Sequence, residues 1–198
     1  MNLSASVLLI ALLLQGANPT APRGLSRELS DSFGKKVIAL EKYEHDPKAK
    51  RSPMDVYESE LNSYVRFALS EKIPRGVRDI RIVFRAGRLE VRGVANLSEF
   101  SELKEKAAGG TALLSFLSGE MAIEIVADFK SDRGFGQFDL VSAQVGPIPL
   151  SAAILGDIIA RATIDGSRPN GFDIRAPFRL PYAVKRIRVQ QALATIEY

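Results

Sequence analysis

The segment Ile73–Gly93, IPRGVRDIRIVFRAGRLEVRG, constrains the fold more than any other stretch of the chain. Apolar and charged residues alternate on both sides of Ala86-Gly87, which is the pattern of two antiparallel strands joined by a tight turn. Ile80, Ile82 and Phe84 alternate with Arg81, Val83 and Arg85, and Leu89 and Val91 alternate with Arg88, Glu90 and Arg92. One face is therefore apolar and must be covered, and a slip of one residue would bury the arginines. The opening of this segment recurs near the C-terminus as Leu180–Val189, LPYAVKRIRV. With Pro74 aligned to Pro181, Val77 matches Val184, Ile80 matches Ile187, Arg81 matches Arg188 and Ile82 matches Val189 without a gap. Each copy follows a helix-like segment, so the chain reads as a degenerate helix–hairpin repeat.

The pattern predicts a helix over Ser52–Lys72, capped by Ser52 with Pro53 in the first turn. Met54, Tyr57, Leu61, Tyr64, Val65 and Ala68 would form its apolar stripe, and Pro74 would end it. Leu97–Gly119 reads as mixed, with a short helix over Glu99–Ala108 and an apolar segment, Thr111–Leu117. Met121–Lys130 and Phe135–Val145 read as a second pair of strands. A second helix is expected over Ser151–Ala162, well buried because it carries few charges. Phe172–Leu180 reads as a strand interrupted by Pro177, and Lys36–Tyr43 as a short strand in a polar lead-in. The only histidine, His45, falls in what reads as an exposed loop, Tyr43–Arg51.

These elements predict an α+β domain: a curved, mainly antiparallel sheet built from hairpins, packed against two main helices. The expected organisation is residues 1–21 as a signal peptide or N-terminal anchor, 22–52 as the lead-in, and 53–198 as one domain. Its related halves are 53–93 and 149–198. The apolar run Val7–Leu14 has the length of a signal-peptide core and is too short to span a bilayer. The chain contains no cysteine, which excludes disulfides and thiol chemistry and removes the usual structural zinc ligands. Export to the periplasm or the extracellular space is the expectation, with a tether to the inner membrane as the variant in which the N-terminal segment is kept.

The formal net charge of +4 falls short of a nucleic-acid footprint. The chain has no HExxH, CxxC, GxSxG or Walker loop, and Gly134-Phe135-Gly136 lacks the lysine and helix of a phosphate loop. Glu58 and Glu60 are two apart, so on a helix they point to different faces. The sequence therefore reads as non-enzymatic, with no cofactor, no metal site and no nucleic-acid partner.

The strings Glu60-Leu61-Asn62, Gly76-Val77-x-Asp79-Ile80 into Gly87-Arg88, and Val145-Gly146-x-Ile148-Pro149-Leu150 resemble a group of bacterial envelope proteins. These are the secreted or anchored lipid-binding proteins of the AsmA-like and tubular lipid-binding (TULIP-like) type, and the resemblance runs over most of Met54–Tyr198. It implies an elongated α+β fold holding an apolar ligand between helix and curved sheet, and it transfers no catalytic residue.

On this reading the ligand is a lipid or similar apolar molecule, with the membrane surface as a further partner. The candidate apolar contacts are Tyr57, Leu61, Tyr64, Ile80, Ile82, Phe84, Leu89 and Val91. The candidate contacts for an anionic headgroup are Arg81, Arg85, Arg88 and Arg92. Two alternatives stand beside it: a structural or protein-interaction module of the envelope, and a hydrolase with an unrecognised site.

Overall fold

The computed structural model describes residues 24–46, 51–100, 119–164 and 168–198. The expected signal peptide, the short helix Glu99–Ala108 beyond its first residues, and the segment Thr111–Leu117 lie outside them. Along the chain run α1 (Arg27–His45), β1 (Met54–Tyr57), α2 (Glu58–Phe67), β2 (Val77–Arg85), β3 (Arg88–Asn96), β4 (Glu120–Asp132), β5 (Phe135–Val145), β6 (Ile148–Pro149), α3 (Ala152–Ala162), β7 (Phe178–Arg179), β8 (Arg186–Val189) and β9 (Leu193–Glu197). The architecture is α+β with open antiparallel sheets. One sheet has the order β2-β3-β4-β5-β6, with β7 also on β5, and a smaller one has the order β1-β9-β8.

Arg27–His45, 19 residues, forms a helix where a strand was expected over Lys36–Tyr43. Ser26 caps α1 by accepting from the Leu29 N–H, and Glu28 sits in the first turn. Phe33, Val37 and Leu40 recur at helical spacing and are all buried. Gly34 lies inside the helix, facing the Tyr64 ring.

The helix expected over Ser52–Lys72 is shorter at both ends. Met54–Tyr57 is a strand paired with the C-terminal β9, in register from Met54↔Ile196 to Tyr57↔Leu193. A partner some 140 residues away thus overrides the capping signal at Ser52 and Pro53. Met54 and Tyr57 leave the helical stripe, and the helix starts at Glu58. Its start is marked by Glu60, whose carboxylate accepts from the Tyr57 N–H at 2.9 Å. It ends at Phe67, followed by a 3-10 turn over Ser70–Lys72.

The central hairpin forms as its alternation requires. Phe84 pairs with Leu89 and Ile82 with Val91, and Gly87 turns the chain with φ of 68°. Near its start, a bulge between Arg78 and Arg81 places Asp79 at φ of 53°. The β4–β5 hairpin carries a second bulge between Val126 and Ala127.

The two aligned segments share a turn. Val77 N–H donates to the Pro74 carbonyl and Val184 N–H to the Pro181 carbonyl, each at 3.1 Å, and Gly76 and Ala183 both have positive φ. Beyond the turn they differ. β2 runs for nine residues in the large sheet, whereas β8 runs for four in the small one. The two sheets are joined at these hairpins. The Gly87 N–H donates to the Val189 carbonyl at 2.9 Å, and Ser131 Oγ exchanges two 2.8 Å hydrogen bonds with the backbone of Ile187.

α3 begins one residue after Ser151, whose hydroxyl accepts from the Ile154 N–H. It is not well buried as expected: only Leu155 and Gly156 are. The interior explains this. The larger core packs α1, α2 and the small sheet over one end of the large sheet, while a smaller cluster around Leu97, Val145, Leu150 and Leu155 holds α3 over the other end. Only Phe178–Arg179 of the strand expected over Phe172–Leu180 pairs with a neighbour. Pro177 lacks an N–H to donate, and the chain before it turns through Asp173–Ala176.

Candidate functional site

Pleat alternation gives the large sheet two chemically distinct faces, and this decides which candidate residues can act together. Leu61 and Phe84 are fully buried, Ile82 is 1% exposed, Leu89 3% and Tyr64 7%. All five belong to the larger core, with Ile80 and Val91 half-buried against it. α2 and the hairpin thus bring these residues together, but in close packing with α1, where Phe33 lies 4.9 Å from Tyr64 between ring centroids. Tyr57 is half-buried, with Lys36 Nζ 5.6 Å from its ring centre.

The four candidate arginines lie on the opposite face of the same sheet, because Arg81 pairs with Arg92 and Arg85 with Arg88 in register with the apolar rows. A single lipid cannot reach both sets. Three of the arginines are also already engaged: Arg88 Nε lies 2.7 Å from Asp128 Oδ1, and Arg85 and Arg92 lie 3.3 and 3.2 Å from the two oxygens of Glu90. The Arg88 guanidinium holds the Asp128 carboxyl below its ordinary value. Arg81 is exposed and makes no ion pair among the described residues.

An open cleft of about 300 Å³ lies elsewhere, between α3 and β5. It follows from a break in the outer edge of the sheet. β7 pairs with β5 only at Phe135–Gly136 and β6 only at Gln144–Val145, so no strand covers the edge between them. Ala127, Phe138, Leu140, Ala152, Leu155 and Ile174 make the apolar wall, with Gln137, Asp139 and Arg175 at its polar margin. Phe138 is held from behind by Phe178, stacked at 5.5 Å, and by Phe129 at 5.2 Å. Arg175 lies against Gly156, where a Cβ would come within 3.0 Å of its side chain, and is tied to Asp173 at 2.9 Å and Asp157 at 3.5 Å. Asp139 accepts from Lys130 at 2.7 Å and from Gln137 at 3.1 Å. The chemistry is that of a binding surface: a greasy wall whose polar margin is tied into ion pairs and hydrogen bonds.

Glu60, Asn62 and Ser63, polar residues that the sequence did not single out for a role, are deeply buried on α2. Glu60, 4% exposed, accepts from Ser32 Oγ at 2.6 Å and from Lys36 Nζ at 2.6 and 2.8 Å. Asn62, also 4% exposed, bonds to Ile82 on the edge strand β2. Glu60 and Asn62 lie in the Glu60-Leu61-Asn62 string. Beside them, burial pushes the Glu58 carboxyl up, opposed by its bond from the Phe84 N–H and by Arg85 and Arg81. Lys36 would have been recognisable as the partner of Glu60 only with α1 read as a helix. The cleft residues come from β4, β5, α3 and the loop before β7, and share no local pattern.

Among the described residues, no group of three His, Asp or Glu side chains is placed to hold a metal ion, and no helix is long and apolar enough to cross a membrane. No protein-family model matches the chain, and no curated protein or solved structure matches it.

Proposed function

We propose that the chain is an exported, non-enzymatic envelope protein that binds or carries a lipid or similar apolar small molecule between helix and sheet. The observation that carries this reading is the open seam beneath α3. Apolar side chains from two layers face each other there without closing, and the volume of about 300 Å³ lies at the lower end of the range for small-molecule sites. The half-buried Ile154, Ile158 and Ile159 of α3, with Met121, Ile123 and Ile125 of β4, extend the apolar lining beside it. The run Val7–Leu14, with the length of a signal-peptide core, supports export, and a chain without cysteine suits an oxidising compartment. The ligand site moves, on this reading, from the α2–hairpin core to the α3–β5 cleft.

Native mass spectrometry of the purified full chain, with a fluorescent fatty acid uptake assay, tests it. A bound apolar adduct that is lost in Leu155→Trp, where an indole fills the cleft, is the expected result. No adduct and no uptake by the parent chain would remove the proposal.

A further inference from the structure

The solvent-facing side of the large sheet is ordered row by row. Reading across β2, β3, β4 and β5, one row is Arg85, Arg88, Asp128, Asp139 and another is Arg81, Arg92, Glu124, Gln144. Between them lies Val83, Glu90, Val126, Ser142, with Val141 beside it in the bulge. Each charged row is basic on β2 and β3 and acidic or neutral on β4 and β5, and the middle row carries a valine in each half. Val141 is 49% exposed, and Arg85, Arg92, Glu124 and Gln144 are exposed.

The geometry points to this face as a docking surface for a second copy of the chain. A two-fold axis parallel to the strands, between β3 and β4, turns each row over onto itself with its halves exchanged. Arg85 and Arg88 then lie over the partner's acidic positions of that row, Arg92 over the position of Glu124, and Val83 over Val141 and Ser142. Such an isologous contact is closed and self-complementary. Two sheets stacked face to face about 10 Å apart with nearly aligned strands are a standard packing, and the strands run in the same direction under this axis. Four strands spaced about 4.8 Å apart and about nine residues long cover roughly 600 Å² per copy, near the lower limit for a specific, reversible interface. An axis perpendicular to the strands would set arginine over arginine, so the charges select one arrangement. The surface lies mainly on the opposite side of the sheet from the apolar wall of the cleft, and Asp139, at the cleft's polar margin, belongs to both.

Cysteine-free chemistry makes the test direct. In one chain Val83 and Ser142 are three strand spacings apart, roughly 14 Å, whereas across the stacked sheets they are about 10 Å apart, too far for a disulfide but within reach of a short thiol-reactive cross-linker. Val83→Cys with Ser142→Cys should therefore give a covalent dimer with a cross-linker that spans about 10 Å, while Val83→Cys alone should not. In the full parent chain, sedimentation should show a dimer that weakens on the order of tenfold as salt rises from about 0.05 to 0.5 M and the screening length falls from about 14 to about 4 Å. Arg88→Glu with Arg92→Glu, and Glu124→Arg with Asp128→Arg, should each be monomeric, and mixing the two variants should restore a heterodimer. A parent chain that stays monomeric at low salt, a dimer indifferent to both salt and charge reversal, or equal cross-linking by the single and double cysteine variants would overturn the proposal. Binding to anionic vesicles by a monomeric parent, lost in the arginine variant, would assign the basic half to membranes instead.

Discussion

Asn62 on α2 and Ile82 on β2 exchange two hydrogen bonds: the Ile82 N–H donates to Oδ1 and the Asn62 amide donates to the Ile82 carbonyl, each at 2.8 Å. The side-chain amide thus does for the edge strand what a neighbouring strand would do, and a potential aggregation edge is closed by a helix. Asn62→Leu keeps the volume but leaves both backbone groups of Ile82 buried without a partner. We expect a loss of about 2–4 kcal/mol, since each unsatisfied group costs about 1–3 kcal/mol. Chemical denaturation checks it, and faster hydrogen exchange at Ile82 with little change in β4 would locate the effect.

Lys36 and Glu60 form a buried ion pair, with the Glu60 side chain 5% and the Lys36 side chain 23% exposed. Lys36→Met strands a carboxylate that keeps only Ser32 and the Tyr57 N–H as donors. The expected cost is about 3–5 kcal/mol for the broken pair. Combining it with Glu60→Gln should recover much of this, because a neutral amide is cheaper to bury. A double variant no more stable than Lys36→Met alone would contradict the account.

The Glu58 carboxyl is raised, first by burial, and the bond from the Phe84 N–H and the charges of Arg85 and Arg81 only partly offset this. The folded state therefore holds this proton more tightly than the unfolded chain. Stability is lost as pH rises from the unfolded value through the higher folded one, and the penalty is fully present at neutral pH. Glu58→Gln should be more stable than the parent at pH 7, by less than about 1 kcal/mol because the group is half-exposed and screened. The difference should disappear below about pH 4, near the ordinary glutamate value. Melting temperatures of both chains across this range test the sign.

Gly171 has φ of 69°, and a Cβ there would come within 1.7 Å of the Ala160 carbonyl oxygen. Gly171→Ala therefore forces α3 away from the connection that follows it. We expect a loss of more than about 2 kcal/mol, combining the positive-φ penalty with the clash. Hydrogen exchange should quicken in α3 first, and ligand uptake should fall if the cleft beneath α3 is the site. Unchanged exchange in α3 would separate this contact from the seam.

Which elements were legible in the sequence follows the range of the interactions that form them. Strand pairs joined by short turns were legible, because a period of two and a glycine at the turn act within about ten residues. β2, β3, β4 and β5 appear where alternation places them, and α3 begins where Ser151 predicts. β1 was not legible, because its partner is the last strand of the chain and the local caps argued for a helix. α1 was missed because charges on its outer face and Gly34 obscured the spacing of Phe33, Val37 and Leu40.

Residue order alone determined the two-faced character of the central ribbon, since neighbouring side chains on a strand must point opposite ways. It could not say which apolar residues would be sealed in a core and which would line an opening. That depended on how α1, α2 and α3 share one sheet surface: α1 and α2 close one end tightly, and α3 rests on the other through few buried contacts. Nor could it show the acidic strands laid beside the arginines, because charge balance across a sheet is set by pairing between distant segments.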